Sequence, residues 1–229
     1  MRRNRIPSSV IAAVTTVVIV GLGGWAAAEQ ETPAQVGEKV GVEDTFVRVA
    51  ENQEGWVVLG YRIANESVGQ EWMLIDLGLA LQKGVKDQTI TRDHVKLVTP
   101  DHQVISLATQ PEYEEVAGSL ALMEKKATEF GDSINYFPPT ANMPCRTGFF
   151  TDTRHPERGA AFDQVELDYN RACVGRVYFH VPGGIQYGNY NLDVKFANSI
   201  LKVPMEIMDK ERTKEFEKQW KEAKKKAKH

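Results

Sequence analysis

Alternating apolar and polar side chains predict β-strands along most of the chain. The longest run with a period of two spans residues 73–81, and a strand can bury such a run on one face whereas a helix cannot. Its apolar members are Met73, Ile75, Leu77, Leu79 and Leu81. Residues 57–63 alternate in the same way, and Asn65-Glu66-Ser67 predicts a turn after them.

Further strands are predicted on both sides of a helical region. Residues 95–99 and 104–107 flank a Pro-Asp pair, which predicts a hairpin. Alternation over residues 177–181, 190–196 and 201–207, with a Pro-Gly-Gly turn after the first run, predicts a three-stranded meander. Seven or so short strands separated by turns are typical of an antiparallel sandwich, so the expected class is mainly β, with a body over residues 40–208.

One amphipathic helix is predicted inside this body, over residues 111–130. Pro111 suits its first turn, Gly131 ends it, and apolar side chains recur at helical spacing. They are Val116, Leu120, Met123, Ala127 and Phe130. This stripe is expected to cover a sheet edge or an open sheet face. Residues 132–173, rich in proline and without a period, are expected to form an irregular excursion.

A basic amphipathic helix is predicted at the carboxyl end, over residues 209–229. These residues contain nine Lys and Arg against five Asp and Glu, and Phe216 and Trp220 lie on a narrow apolar stripe. Two interpretations stay open. The two aromatic side chains dock on the body, or the helix binds an anionic surface such as lipid headgroups.

The amino-terminal 28 residues have the order of a secretory signal. Arg2, Arg3 and Arg5 precede an uncharged apolar stretch, and Ala26-Ala27-Ala28 supplies the small residues that a signal peptidase requires. The alternative is an uncleaved membrane anchor, because the apolar stretch has the length of a short span. Both place the remainder outside the cytoplasm, in the periplasm or beyond, after a polar linker at residues 29–39.

The two cysteines, Cys145 and Cys173, both lie in the part predicted to be exported. An even number of cysteines in an oxidising compartment predicts a disulfide, which would hold the irregular excursion to the body. A redox or metal role is disfavoured because neither cysteine belongs to a Cys-x-x-Cys motif.

Charge and motifs exclude several classes of protein. Beyond residue 28 the chain contains 25 Lys and Arg against 31 Asp and Glu, so its charge is unsuited to nucleic acid. The chain has no P-loop, no Gly-x-Ser-x-Gly motif and no His-Glu-x-x-His motif. The sequence therefore predicts a protein that is not an enzyme, with no cofactor.

Three groups of residues are candidates for a site. His94 and His102, on or beside the predicted hairpin, are weak candidates for zinc ligands. Asp152, Arg154 and His155 form a polar cluster in the excursion and could provide a base and an anion-binding group. Tyr187, on the turn after residue 181, could stack on a sugar ring or a partner chain, whereas Tyr190 belongs to an apolar alternation and is expected to be buried.

Two stretches carry a resemblance to a known family. Gly55 to Ser67 (GWVVLGYRIANES) and Val177 to Phe196 (VYFHVPGGIQYGNYNLDVKF) resemble exported bacterial immunoglobulin-like domains of the telokin-like secreted-antigen type. The resemblance implies an immunoglobulin-like sandwich and supplies no catalytic residue. The inserted helix and the excursion depart from the family pattern.

These observations favour an exported, non-catalytic binding or accessory domain that acts through protein contacts at the cell envelope. One alternative is a carbohydrate-binding module that uses Tyr187. Another is a hydrolase whose site lies in the 145–173 excursion. The expected partner is an envelope or extracellular protein, with an anionic surface as a further contact for the Lys-rich tail.

Overall fold

The computed structural model describes residues 38–152 and 159–226. Strands make up 39% of these residues and helices 25%, with antiparallel sheets and three α-helices, so the predicted mainly β class is confirmed. The predicted signal or anchor segment at residues 1–28 and the linker up to residue 37 lie outside the described residues. Of the predicted linker, the structure describes only Glu38 and Lys39, and Lys39 is the first residue of β1.

The strands and helices follow one another in a simple order. In chain order they are β1 Lys39–Asp44, β2 Val47–Glu51, β3 Gly55–Gly60, α1 Arg62–Glu66, β4 Trp72–Leu81, β5 Gln88–Thr91, a 3-10 turn Arg92–His94, β6 Val95–Val98, β7 Val104–Ser106, α2 Gln110–Phe130, β8 Met143–Arg146, β9 Gln164–Leu167, β10 Arg171–His180, β11 Gly188–Lys195, β12 Ile200–Ile207 and α3 Lys210–Lys226.

The strands of the described part of the chain form three sheets. The order is β1-β2-β3-β4-β10-β8 in the six-stranded sheet, β12-β11-β6-β7 in the four-stranded sheet and β5-β9 in the two-stranded one. Among these twelve strands, all pairs are antiparallel except β8 with β10. This parallel pair corrects the expectation of a purely antiparallel arrangement. The predicted hairpin is confirmed, because β6 pairs with β7.

A single large hydrophobic cluster joins the two larger sheets in a sandwich-like arrangement. β4 contributes the side chains that the alternation singled out, and each of them is buried completely. β10 contributes Val177 and Phe179, while β11 and β12 contribute Leu192 and Val203 from the four-stranded sheet. Burial of this apolar surface from both sheets is the main source of stability.

The outer face of the six-stranded sheet is also covered. α2 packs its buried side chains on this face, and a sheet face was one of the two places predicted for its apolar stripe. Residues 131–138 cross the neighbouring strands. A Cβ at Gly78 of β4 would lie 2.5 Å from the ring of Phe137, so only glycine permits this close approach. The Trp56 indole nitrogen donates to the Tyr136 carbonyl oxygen at 2.7 Å and holds the crossing segment in place.

The bounds of α2 agree with the prediction, but its buried stripe is rotated. Thr109 and Glu112 cap its amino end reciprocally, and the Thr109 backbone nitrogen donates to Glu112 Oε2 at 2.7 Å. Tyr113 begins the buried stripe, whereas Phe130 at the other end is 63% exposed. Phe130 therefore belongs to the surface, which corrects the predicted stripe.

Three local predictions are wrong. The strand predicted over residues 57–63 ends at Gly60, and α1 replaces its last residues and the turn predicted after them. The short helix still buries Ile63 and Ala64, so their apolar character does not distinguish a strand from a helix. The irregular excursion contains β8, β9 and the start of β10. The predicted meander is a hairpin of β11 and β12 only, since β10 belongs to the six-stranded sheet.

Candidate binding cleft

A cleft of about 200 Å³ lies beside the disulfide, where α2, β10 and the segment after β8 meet. Each of the three parts contributes at least one aromatic and one charged side chain. The lining residues are Tyr113 and Glu124 of α2, Arg146 of β8, residues 147–152, and Gly175, Arg176 and Tyr178 of β10.

A carboxylate held by two tyrosines forms one wall of the cleft. Glu124 Oε1 accepts hydrogen bonds from the hydroxyls of Tyr113 and Tyr178, the latter at 3.0 Å. Burial raises the pKa of both tyrosines, and their contact with Glu124 raises it further. Both phenols therefore remain protonated donors at neutral pH and orient the carboxylate.

Three aromatic rings pack together beneath this carboxylate. The ring centroid of Tyr113 lies 4.7 Å from that of Tyr178 and 5.4 Å from that of Phe150, and Phe150 meets Tyr178 edge to face at 5.0 Å. All three side chains are buried. Rings this close fill the space between them, so they provide a rigid floor and not an open cage around a ligand.

Two arginines provide the positive charge of the cleft. The guanidinium of Arg176 reaches Thr128 Oγ1 at 3.0 Å on α2 and the Asp76 carboxylate at 3.5 Å on β4. Burial raises the pKa of Asp76 to about 6, although Arg176 opposes the shift. The guanidinium of Arg146 donates to the Phe150 carbonyl oxygen at 3.1 Å, which folds the segment after β8 back toward its own strand.

The disulfide and one glycine fix the position of this segment. Cys145 and Cys173 lie opposite each other in the parallel β8–β10 pair and are bonded, as predicted, with Cys173 fully buried. Next to them, Thr147 lies over Gly175, where any Cβ would collide with the Thr147 hydroxyl. That hydroxyl is buried and has no hydrogen-bond partner among the described residues.

The far end of the segment is tied to α2. The Gln110 side chain donates to the Thr151 carbonyl oxygen at 2.7 Å and accepts from the Thr151 backbone nitrogen at 3.2 Å. The Gln110 amide group thus donates to and accepts from the main chain of Thr151, as one residue does to its partner in a neighbouring strand. Residues 147–152 are thus held at both ends, by the disulfide and by the start of α2.

The structure places one residue of the predicted polar cluster in the cleft. Asp152 is 6% exposed and lines it, whereas Arg154 and His155 lie outside the described residues. The paired tyrosines and Glu124 were not among the site residues predicted from the sequence. Their signal was weak: Tyr113 lies four residues before Ala117, on the stripe that α2 buries, and Glu124 borders the same stripe.

The candidate zinc ligands do not come together. His94 precedes β6 and accepts from the Thr91 backbone nitrogen at 3.4 Å, while His102 lies in the turn at the other end of β6. Within residues 38–152 and 159–226, no three His, Cys, Asp or Glu side chains form a group that could hold a metal ion.

Tyr187 is 58% exposed, as the turn position predicted, whereas Tyr178 and Tyr190 of the same stretch are buried. The Tyr190 hydroxyl is used internally and donates to the Gln186 carbonyl oxygen at 3.1 Å. A single exposed ring therefore remains at this turn, without either of the two nearby tyrosines beside it as a second stacking surface.

The carboxyl-terminal helix α3 lies against the body through Phe216. The guanidinium of Arg48 is 5.1 Å from the centre of the Phe216 ring and 5.2 Å from that of Tyr61, so the cation lies near both aromatic rings. Trp220 is partly buried, and Lys224 lies 3.9 Å over its ring. None of the helices among the described residues has the length and apolar character needed to cross a bilayer.

Comparison with known proteins returned no family model, no curated protein and no solved structure that matches the chain.

Proposed function

We propose that the chain is an exported, non-catalytic binding domain of the cell envelope, and that the cleft beside the disulfide receives part of a partner protein. The observation that carries this proposal is the cleft itself, a rigid concave site with aromatic, carboxylate and guanidinium groups on three separate elements. Sites of this composition recognise a partner by combining apolar contact with a few oriented polar groups.

The size of the cleft supports a protein side chain as its occupant. Pockets for drug-sized ligands measure roughly 300 to 1,000 Å³. At about 200 Å³, this cleft is smaller. It suits a single anchoring side chain from a partner, which is how the centre of many protein interfaces is organised. The cleft is lined by both carboxylate and guanidinium groups, and these would favour a polar or aromatic anchoring side chain.

Export is the second part of the proposal. A buried disulfide is compatible with an oxidising compartment. The cationic start, the apolar stretch and the three alanines of residues 1–28 support a cleaved signal, with Glu29 as the first residue of the mature protein. Sequencing the amino terminus of protein recovered from the envelope fraction tests this. An intact Met1 would replace the signal with an anchor.

The partner can be sought directly by photo-crosslinking in cells. A photoreactive amino acid placed at Arg146, on the exposed rim of the cleft, should give one dominant adduct identifiable by mass spectrometry. The matched control places the same amino acid at Lys83, an exposed residue after β4, where we expect no specific adduct.

Two outcomes would contradict the proposal. Equal adducts from Arg146 and Lys83, or none from Arg146, would remove the cleft as a contact surface. Binding to a glycan array that is lost in Tyr187→Ala and kept in Arg146→Ala would replace it with carbohydrate recognition at the β10–β11 turn.

A further inference from the structure

Among residues 38–152 and 159–226, the two larger sheets end in four edge strands, and three of these strands resist the addition of another strand. β8 contains Pro144 and β12 contains Pro204, and proline offers no N–H to a neighbouring strand. β7 is only three residues long. Short edges and prolines are the usual means by which sheets avoid edge-to-edge pairing.

The fourth edge, β1, has neither of these features. It is six residues long, contains no proline and, among the described residues, pairs with β2 alone. Its apolar side chains are open to solvent, with Val40 46% and Val42 38% exposed, and Gly41 between them adds no side chain. The Lys224 side chain of α3 donates to the Glu43 carbonyl oxygen at 3.4 Å, and this exposed lysine can move aside for a strand. An edge with exposed valines is a surface on which another strand can pair.

We propose that β1 pairs antiparallel with β1 of a second copy of this chain, about a two-fold axis at Gly41. In this register Val40 of each copy lies opposite Val42 of the other, so the exposed apolar side chains meet on one face. Odd-numbered residues lie opposite odd-numbered ones. The backbone groups that point away from β2 in one copy therefore meet those of the other copy.

The charges of β1 are complementary in the same register. Lys39 lies opposite Glu43 of the second copy, and the two-fold axis repeats the pair. Glu43 Oε1 lies 3.7 Å from the position that a Gly41 Cβ would take, which places the carboxylate on the Gly41 face of the strand. Lys39 is two residues before Gly41 and faces the same way, so both charges of each pair lie on one face.

The extent of the pairing sets its strength. The register of β1 with β2 shifts between Val42 and Asp44, so β1 pairs regularly with β2 over residues 39–42 and Glu43 lies at the shift. The proposed contact between the two copies covers residues 39–43. Specific stable interfaces bury about 1,200 to 2,000 Å² in total. An edge of five residues buries less, and the dimer therefore forms weakly, with a dissociation constant of roughly 0.1 mM or higher.

Sedimentation of the full exported chain tests the proposal across a range of concentrations up to about 1 mM. We expect a monomer–dimer equilibrium. Lys39→Glu and Glu43→Lys should each weaken it by roughly tenfold, because each change replaces two attractive cross-strand pairs with two repulsive ones. An equimolar mixture of the two variants should associate again, since the mixed dimer restores attraction in both pairs.

Controls separate this interface from other causes. Lys83→Glu makes the same charge change at an exposed position outside β1 and should leave the equilibrium unchanged. Lys39 also pairs with Glu51 of its own chain at 3.3 Å, so the melting temperature of each variant is measured to show that it remains folded.

Three results would overturn the proposal. In the first, the parent chain stays monomeric throughout the concentration range. In the second, Lys39→Glu does not weaken the dimer. In the third, the mixture of the two folded variants stays monomeric. The second would place the contact on another surface, and the third would exclude the register centred on Gly41.

Discussion

Reduction of the Cys145–Cys173 disulfide is expected to destabilise the protein and to release one wall of the cleft. The bond joins adjacent positions of β8 and β10, and the chain between the two cysteines includes residues 147–152, which line the cleft. Once the bond is broken, β8 is held by a four-residue parallel pair that contains a proline. Such a pair is too short to order the loop strongly by itself.

The magnitude follows from the length of the closed loop. The cysteines are 28 residues apart, and the chain-entropy model assigns about 3.5 kcal/mol to the closure of a loop of this size at 25 °C. For a domain of 150 to 250 residues, 1 kcal/mol corresponds to about 2 to 4 °C in melting temperature. Reduction should therefore lower the melting temperature by roughly 7 to 14 °C.

Calorimetry of the oxidised and reduced protein measures this difference, and limited proteolysis locates it. Cleavage within residues 146–172 should rise on reduction, while cleavage in β11 and β12 should change little because both strands lie in the other sheet. The matched control is Cys145→Ala with Cys173→Ala, which should melt low under both conditions and show no further response to reductant.

Two observations would refute this reasoning. One is an equal melting temperature for the oxidised and reduced forms, with equal resistance to protease. The other is modification of both cysteines by a thiol reagent without prior reduction, which would show that the bond is absent from the exported protein.

Three further changes test other parts of the structure. Phe216→Ala should lower the free energy of unfolding by about 1 to 2 kcal/mol in denaturant titrations, because it removes the ring that packs beside Arg48. Burial raises the pKa of Glu54, but hydrogen bonds from Ser199 and Asn198 outweigh this effect and lower the pKa. The stability that the Glu54 carboxylate contributes is present above its unfolded pKa and should be lost as the pH falls through its folded pKa. Glu54→Ala should remove this pH dependence and cost about 1 to 2 kcal/mol at neutral pH. For Asp76, with its pKa raised to about 6, the contribution has the opposite sign, and stability should fall as pH rises from about 4 to 6 in the parent but not in Asp76→Asn.

Control variants and contrary outcomes complete these tests. Lys218→Ala, exposed on α3, should leave stability unchanged, and an equal loss in both α3 variants would mean that the helix as a whole, and not Phe216, is affected. Glu129→Ala, exposed at the end of α2, should retain the parent's pH dependence. A parent and an Asp76→Asn variant with parallel pH profiles would contradict the raised pKa of Asp76.

The parts of the fold that the sequence predicted are those specified by local signals. β4 is recognisable because apolar side chains with a period of two over the nine residues 73–81 can be buried on one face by a strand and not by a helix. α2 is recognisable because proline in its first turn and glycine at its end bound a helical stripe. β8 and β9 were missed because each is four residues long and is ordered by a partner remote in sequence. The false meander has the same cause, since alternation in β10 does not reveal which sheet it joins.

The candidate cleft was less predictable because its groups come from segments far apart in the chain. Glu124 and Tyr178 are 54 residues apart, and only the packing of α2 on β10 makes their hydrogen bond possible. One signal was present in β10, where Arg176 and Tyr178 alternate with buried Val177 and Phe179. An outward strand face that carries a long cation and a phenol does not suit an apolar core, so a cover on this face must supply hydrogen-bond acceptors. α2 provides such acceptors, because Glu124 accepts from Tyr178 and Thr128 accepts from Arg176. The cleft therefore lies where the helix crosses this strand.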